Sequence, residues 1–200
     1  MHFEEGYTYH IYNRGINHQK VFFSDENYIY FLDKVKCEIV PICDILAYCL
    51  LPNHFHFLVH ANKESCKPYQ TRTGNFLNAQ NLSKKFGLLL SSYSQGINKR
   101  RHRVGNLFQQ RTKAKCLNLE FSKIDYLITC FLYIHQNPLE TGLTSNLEDW
   151  PYSSFIEYLS KSNNGLCNQE LTKEMINLDW NNFYEQSKYI IDNKEILGIL

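Results

Sequence analysis

The chain reads as an α+β sandwich, one antiparallel-rich sheet with helices packed on it. Three observations predict it. Strand-like and helix-like segments interleave, about four or five of the first kind and three or four of the second. Two apolar runs, Asp44 to Leu51 and His54 to Ala61, are joined by Leu51-Pro52-Asn53, which suits an antiparallel hairpin. In the second run Phe55, Phe57 and Val59 alternate with His54 and His56, so one face is apolar and the other carries imidazoles.

The remaining elements follow in order. Gly6 to Asn13 is aromatic and β-branched, with Tyr7, Tyr9 and Ile11 on one face of a strand. Ser24 and Asp25 are N-cap candidates for a helix over 25–39, where Tyr28, Phe31, Leu32 and Val35 recur at helical spacing and Pro41 ends the run. Asn62 to Asn75 is polar and loop-like. Leu77 to Asn98 reads as helix, with Leu82, Phe86, Leu89 and Leu90 on its apolar side, and Gly105 to Leu117 as a further strand. Ser122 is the N-cap candidate of a helix that Asn137-Pro138 closes. A short helix from Trp150-Pro151 towards Leu159 and a polar linker, Lys161 to Gly165, precede a helical remainder.

Size and composition bound the function. A length of 200 residues is one domain's worth of chain, and 44% hydrophobic with 20% charged residues excludes a wholly disordered protein. The longest apolar run, Ile45 to Leu51, stops at Pro52, far short of the roughly 20 residues a bilayer span needs, so no membrane partner is expected. The N-terminus has no basic and no apolar signal region, which makes the cytoplasm the expected compartment. The seven cysteines include no C-x-x-C pair, and Cys37, Cys43 and Cys49 recur at a spacing that suits neither a zinc knuckle nor one helix face; they read as small buried or semi-buried thiols in a reducing compartment.

The net charge of +1 conceals an asymmetry. Between Asn98 and Lys115 lie Lys99, Arg100, Arg101, Arg103, Arg111, Lys113 and Lys115 and no acid, whereas Glu170 to Glu195 holds more acids than bases. A basic block inside a neutral chain points to one localised anion-binding face.

Chemistry is carried by two segments. His54 and His56 project from the same strand face about 6–7 Å apart at their Cα atoms, close enough to converge on one metal, although an exposed hydrogen-bonded pair has the same pattern. On the helix before Pro138, Ile124, Leu127, Ile128, Phe131 and Leu132 form an apolar stripe, and Tyr133 and Asn137 lie one turn apart on nearly the opposite side. His135 falls within the stripe and reads as a packing residue. Two imidazoles and an amide oxygen suit Mg²⁺ or Mn²⁺ with positions left for phosphate oxygens and water. A tyrosine beside them is a nucleophile for phosphoryl transfer that needs help, since its ordinary pKa is near 10.

Five stretches in register carry a resemblance: His10-Ile11-Tyr12-Asn13-Arg14-Gly15, Leu51-Pro52-Asn53-His54-Phe55-His56-Phe57-Leu58-Val59, Gly105-Asn106-Leu107-Phe108-Gln109-Gln110-Arg111, Tyr133-Ile134-His135-Gln136-Asn137-Pro138 and Asp149-Trp150-Pro151-Tyr152-Ser153-Ser154. Over about residues 6 to 160 the chain resembles the single-tyrosine HUH transposases, most closely the REP-associated tyrosine transposases.

The resemblance implies a ferredoxin-like or RRM-like fold with the paired histidines on a central strand and the tyrosine on a nearby helix. It implies that Tyr133 cuts single-stranded DNA near an imperfect hairpin, leaving a 5′-phosphotyrosine and a free 3′-hydroxyl for rejoining. His54 and His56 match the metal-binding histidines, and Asn137 stands where relatives place a Gln or Asn that helps hold Mg²⁺ or Mn²⁺. Lys99, Arg100, Arg101, Arg103, Arg111, Lys113 and Lys115 are then expected DNA contacts. Phe108 replaces the tryptophan of many relatives and is expected to stack on a base.

The resemblance further implies a monomer or homodimer, associated with the bacterial nucleoid. Residues 1–160 form the expected catalytic domain and 161–200 a C-terminal helical extension without a matching motif. A non-catalytic DNA- or RNA-hairpin binder on the same fold and a replication-initiator or relaxase-type nickase are the alternative readings. Pure binding has no need of His54, His56, Tyr133 and Asn137 together.

Overall fold

The computed structural model describes residues 1–118, 126–160, 165–189 and 191. In chain order the elements are β1 (Thr8–Arg14), α1 (Asp25–Glu38), β2 (Asp44–Leu51), β3 (His54–His60), α2 (Lys63–Cys66), β4 (Pro68–Gln70), β5 (Phe76–Gln80), α3 (Asn81–Arg100), β6 (Lys113–Cys116), α4 (Tyr126–Glu140), α5 (Phe155–Ser160), α6 (Gln169–Met175) and α7 (Phe183–Gln186). The main sheet has the order β2-β3-β1-β6, and every neighbouring pair in it is antiparallel. With α1 between β1 and β2 and α3 between β3 and β6, this is the βαββαβ ferredoxin-like arrangement. β4 and β5 form a separate two-stranded ribbon.

Alternation along the strands divides the molecule into two layers. Tyr9, Ile11, Phe55, Phe57 and Val59 point to one side, where α1 contributes Tyr28, Phe31 and Val35 and α3 contributes Phe86, Leu89 and Tyr93 to a continuous core. The opposite side presents Leu46, Ala47, Cys49, Leu51 and Leu58 to Cys130 and Ile134 of α4. The outer side of α4 is covered in turn: Phe131 and His135 meet Phe183 of α7, and Gln136 donates to the carbonyls of Ser187 and Tyr189 at 2.8 and 2.7 Å. The part of the C-terminal segment that reaches Tyr189 thus packs against α4 within the second core.

Several element boundaries differ from the sequence expectations. Residues 77–80 belong to β5 rather than to the α3 helix, and the polar stretch 62–75 contains α2 and β4. The strand expected over 105–117 is reduced to β6; ahead of it the chain forms a single bridge between Phe108 and Gly15, with hydrogen bonds from the Gln109 N–H to the Arg14 carbonyl and from the Ile16 N–H to the Leu107 carbonyl. Pro138 lies inside α4. The stop comes at Gly142, whose φ of +67° sets up a double closure from the Gly142 N–H to the Leu139 carbonyl and from the Leu143 N–H to the Pro138 carbonyl. The expected N-cap Ser122 lies outside the described residues. No helix of the described residues is long and apolar enough to cross a membrane.

The free edge of β2 is blocked by the segment 150–154. Leu50 accepts from the Trp150 indole N–H at 2.8 Å and donates its backbone N–H to the Tyr152 carbonyl, while Ser154 bonds both the N–H and the carbonyl of Tyr48. That contact also holds α4, because His135 Nε2 lies 2.8 Å from the Ser154 hydroxyl.

Candidate active site

Antiparallel pairing places the second face of β3 beside that of β1 and β6. Tyr12 stands opposite His56 on one side and Lys113 on the other; His10 stands opposite Leu58 and Lys115; Arg14 stands opposite His54. Directly opposed residues share a face, so these side chains form rows across the sheet. Tyr133 descends from α4 onto the rows. Its ring centroid is 5.6 Å from that of His56 and 6.2 Å from that of His10, both edge to face.

The face of α4 that carries Tyr133 and Asn137 is therefore turned to the sheet. A helical wheel read with one apolar side places this face towards solvent; in the fold the apolar stripe is covered by the C-terminal segment, and α4 is buried on both sides. Asn137 is 4% exposed, and its amide donates to the Tyr133 carbonyl at 2.9 Å.

His54 Nδ1 donates to Asn53 Oδ1 at 2.6 Å, since an amide oxygen only accepts; this leaves Nε2 without a proton, and the Asn137 amide is a second hydrogen-bond partner of the ring. His56 Nδ1 is 2.8 Å from His10 Nε2, and the two rings are stacked with centroids 5.0 Å apart. His56 is 3% exposed, and its Nε2 is a buried polar atom with no hydrogen-bond partner. The His54 and His56 rings are 5.0 Å apart and nearly perpendicular.

Electrostatics favour neutral ligands and a protonated phenol. Burial lowers the His56 pKa well below the usual imidazole value, and the neighbouring His10 and His54 rings push the same way. His54 is lowered by burial, an effect partly offset by hydrogen bonding with the Asn137 amide and reinforced by Arg14. Burial raises the Tyr133 phenol, and the Asn137 amide works against that rise. Asn137 thus touches the chemistry of both neighbours.

A cavity of about 450 Å³ opens over this cluster, with His54, His56 and Tyr133 in its wall and Arg14, Arg111 and Lys113 around them. The basic block expected to bind DNA is divided by the fold. Arg111 and Lys113 reach the cavity and Lys115 stands opposite His10, but Arg100 pairs with Glu26 at 3.2 Å, Arg101 lies 4.0 Å over the Phe23 ring and Arg103 donates to Gln19 at 2.8 Å. Lys99 is exposed at the end of α3.

Phe108 requires a correction. It is 5% exposed and packs against Phe55 and Tyr93, so it has no free face for a base. The half-exposed aromatic ring at the cavity is Tyr12, with Lys113 Nζ 5.4 Å from its centroid. Tyr12, His10 and Arg14 were not singled out as site residues by the sequence, although their alternation with Tyr9 and Ile11 assigned them to the other face of β1. The missing information was the partner strand.

Among the described residues no three His, Cys, Asp or Glu side chains are grouped to hold a metal. A divalent ion would have to be held by His54 and His56 with an amide oxygen such as that of Asn137. The buried unpartnered Nε2 of His56 and the bare Nε2 of His54 are donors of the right kind for it.

No family model matches the chain. Its sequence is 29% identical over 124 residues to a Haemophilus influenzae protein named "Putative REP-associated tyrosine transposase", covering 61% of this chain and 64% of that one. The chain thus spans less than two thirds of that relative's length in the match. A solved structure of a REP-associated tyrosine transposase bound to a REP hairpin superposes with a TM-score of 0.56 at 17% identity, covering 96% of this chain and 97% of that one. The first finding bears out the resemblance carried by the five motifs, and the second bears out the α+β fold.

Proposed function

We propose that the chain is a DNA transposase of the single-tyrosine kind, a nuclease and strand transferase acting on single-stranded DNA beside an imperfect hairpin. One observation carries the reading: the Tyr133 phenol sits against His56, whose buried Nε2 has no partner among the described residues, at a cavity edged by Arg14, Arg111 and Lys113. A pure binding module gains nothing from burying an unpaired imidazole nitrogen beside a phenol. The hairpin partner is supported by the REP hairpin bound in the structural relative.

In this reaction the Tyr133 oxygen attacks the scissile phosphorus and loses its proton. The P–O3′ bond breaks, and the departing oxygen takes up a proton as a 3′-hydroxyl. One phosphoester replaces another, so a second 3′-hydroxyl can reverse the step and join strands. Asn137 eases the ionisation of the phenol. Arg14, Arg111 and Lys113 offset the phosphate charge, and Tyr12 offers a ring for stacking of an adjacent base. His54, His56 and Asn137 would hold Mg²⁺ or Mn²⁺, which when bound polarises the phosphate and stabilises the charge developing on it.

The test is incubation with hairpin-bearing single strands and Mn²⁺. A protein–DNA adduct that survives denaturation is expected with these strands, none with the same strands annealed into full duplex, and none in chelator. Equal adduct with duplex, or full activity in chelator, contradicts the reading.

A further inference from the structure

The two imidazoles of the pair are oriented by different means. His54 is set by an amide oxygen, which can only accept, so the position of its proton follows from the chain. His56 faces another imidazole, and a contact between two ring nitrogens has two arrangements. In one, His56 Nδ1–H donates to His10 Nε2 and leaves His56 Nε2 bare. In the other, His10 Nε2–H donates to His56 and the His56 proton moves to Nε2, where the described residues offer no acceptor. A donor buried without a partner is disfavoured, so the first arrangement prevails.

Resting on the metal-assisted reaction of the preceding section, we propose that His10 is a positioning residue: it accepts the His56 Nδ1 proton and thereby turns the bare Nε2 of His56 towards the divalent ion. His10 is suited to the task by its own confinement. It is fully buried on β1, between strands β3 and β6, and its ring is 4.8 Å from Tyr12, 5.0 Å from His56 and 6.2 Å from Tyr133. One ring thus abuts both the ligand and the nucleophile. Partners behind metal-binding histidines are worth about 10–100-fold in metal affinity.

Two measurements test the role. Nitrogen-15 NMR of the metal-free wild-type protein reads which His56 nitrogen carries the proton; Nδ1 is expected, and a proton on Nε2 overturns the inference whatever any variant does. Calorimetric titration with Mn²⁺ alone is then compared across His10→Phe, which keeps the ring but removes the acceptor, and His10→Gln, which restores an accepting oxygen. The expected result is binding 10–100-fold weaker in His10→Phe and largely recovered in His10→Gln. Wild-type affinity in a folded His10→Phe overturns the inference while leaving the metal reading intact. Wild-type protein that takes up no Mn²⁺ overturns the metal reading itself, so the two failures are distinct.

Discussion

For the proposed attack at neutral pH, the Tyr133 phenol is held between opposing influences: burial disfavours its ionised form and the Asn137 amide favours it. In the proposed reaction the cations at the cavity act on the substrate, and the basic residues are unequal. Arg111 reaches the cavity and makes no ion pair among the described residues, whereas Arg100 is exposed and already paired with Glu26. Replacing Arg111 with alanine should reduce the slope of log K against log salt by about one unit in filter-binding or anisotropy titrations, and Arg100→Ala should leave it nearly unchanged. Equal effects would mean that the whole basic block lies along the DNA. Residues of this kind were only partly legible in the sequence. His54 and His56 announce themselves by alternation within one strand, but His10, Tyr12 and Arg14 acquire meaning only when β1 is laid against β3. Phe108 misleads because an aromatic in a basic segment looks exposed until its packing on Phe55 and Tyr93 is known.

Elements bring these residues to one place through a few backbone contacts. After β1 the chain turns at Gly15, which donates its N–H to the Asn53 carbonyl at 2.7 Å and pairs with Phe108. A Cβ at that position would lie 2.1 Å from the Gln19 carbonyl oxygen, a backbone atom that cannot yield without moving the turn. Gly15→Ala should lower stability by about 1–3 kcal/mol in urea denaturation and weaken DNA binding, because the same turn holds the hairpin next to His54. Unchanged stability would show that the turn relaxes freely. The β2–β3 hairpin was legible from two apolar runs joined by Leu51-Pro52-Asn53, and α1 from the helical spacing of Tyr28, Phe31, Leu32 and Val35. The closure of α4 was not: Pro138 looks like a terminus, yet it sits in the last turn and Gly142 performs the stop. The wheel of α4 likewise could not reveal that a later part of the chain covers its apolar stripe and leaves Tyr133 to the sheet.

At the level of the whole molecule the histidines tie stability to pH. His135 is fully buried, and burial lowers its pKa to about 3, against about 6.5 in the unfolded chain. Its neutral form thus supports the fold in full above pH 6.5, and that support declines as pH falls towards 3, at about 1.4 kcal/mol per pH unit. His56, lowered in the same direction, adds to the decline. Urea denaturation between pH 7 and 5 should show falling stability, with a shallower fall in His135→Gln by up to one proton's worth; an identical slope would place the pH dependence elsewhere. His135 also joins α4 to the edge of β2 through Ser154, which explains how one helix is locked to the sheet while its tyrosine faces the cavity. The central claim concerns that tyrosine. Mass spectrometry of the protease-digested adduct formed with a hairpin-bearing single strand and Mn²⁺ should find the 5′-phosphate on Tyr133 and no adduct in Tyr133→Phe; a phosphate on any other residue, or an undiminished adduct in the variant, would contradict it.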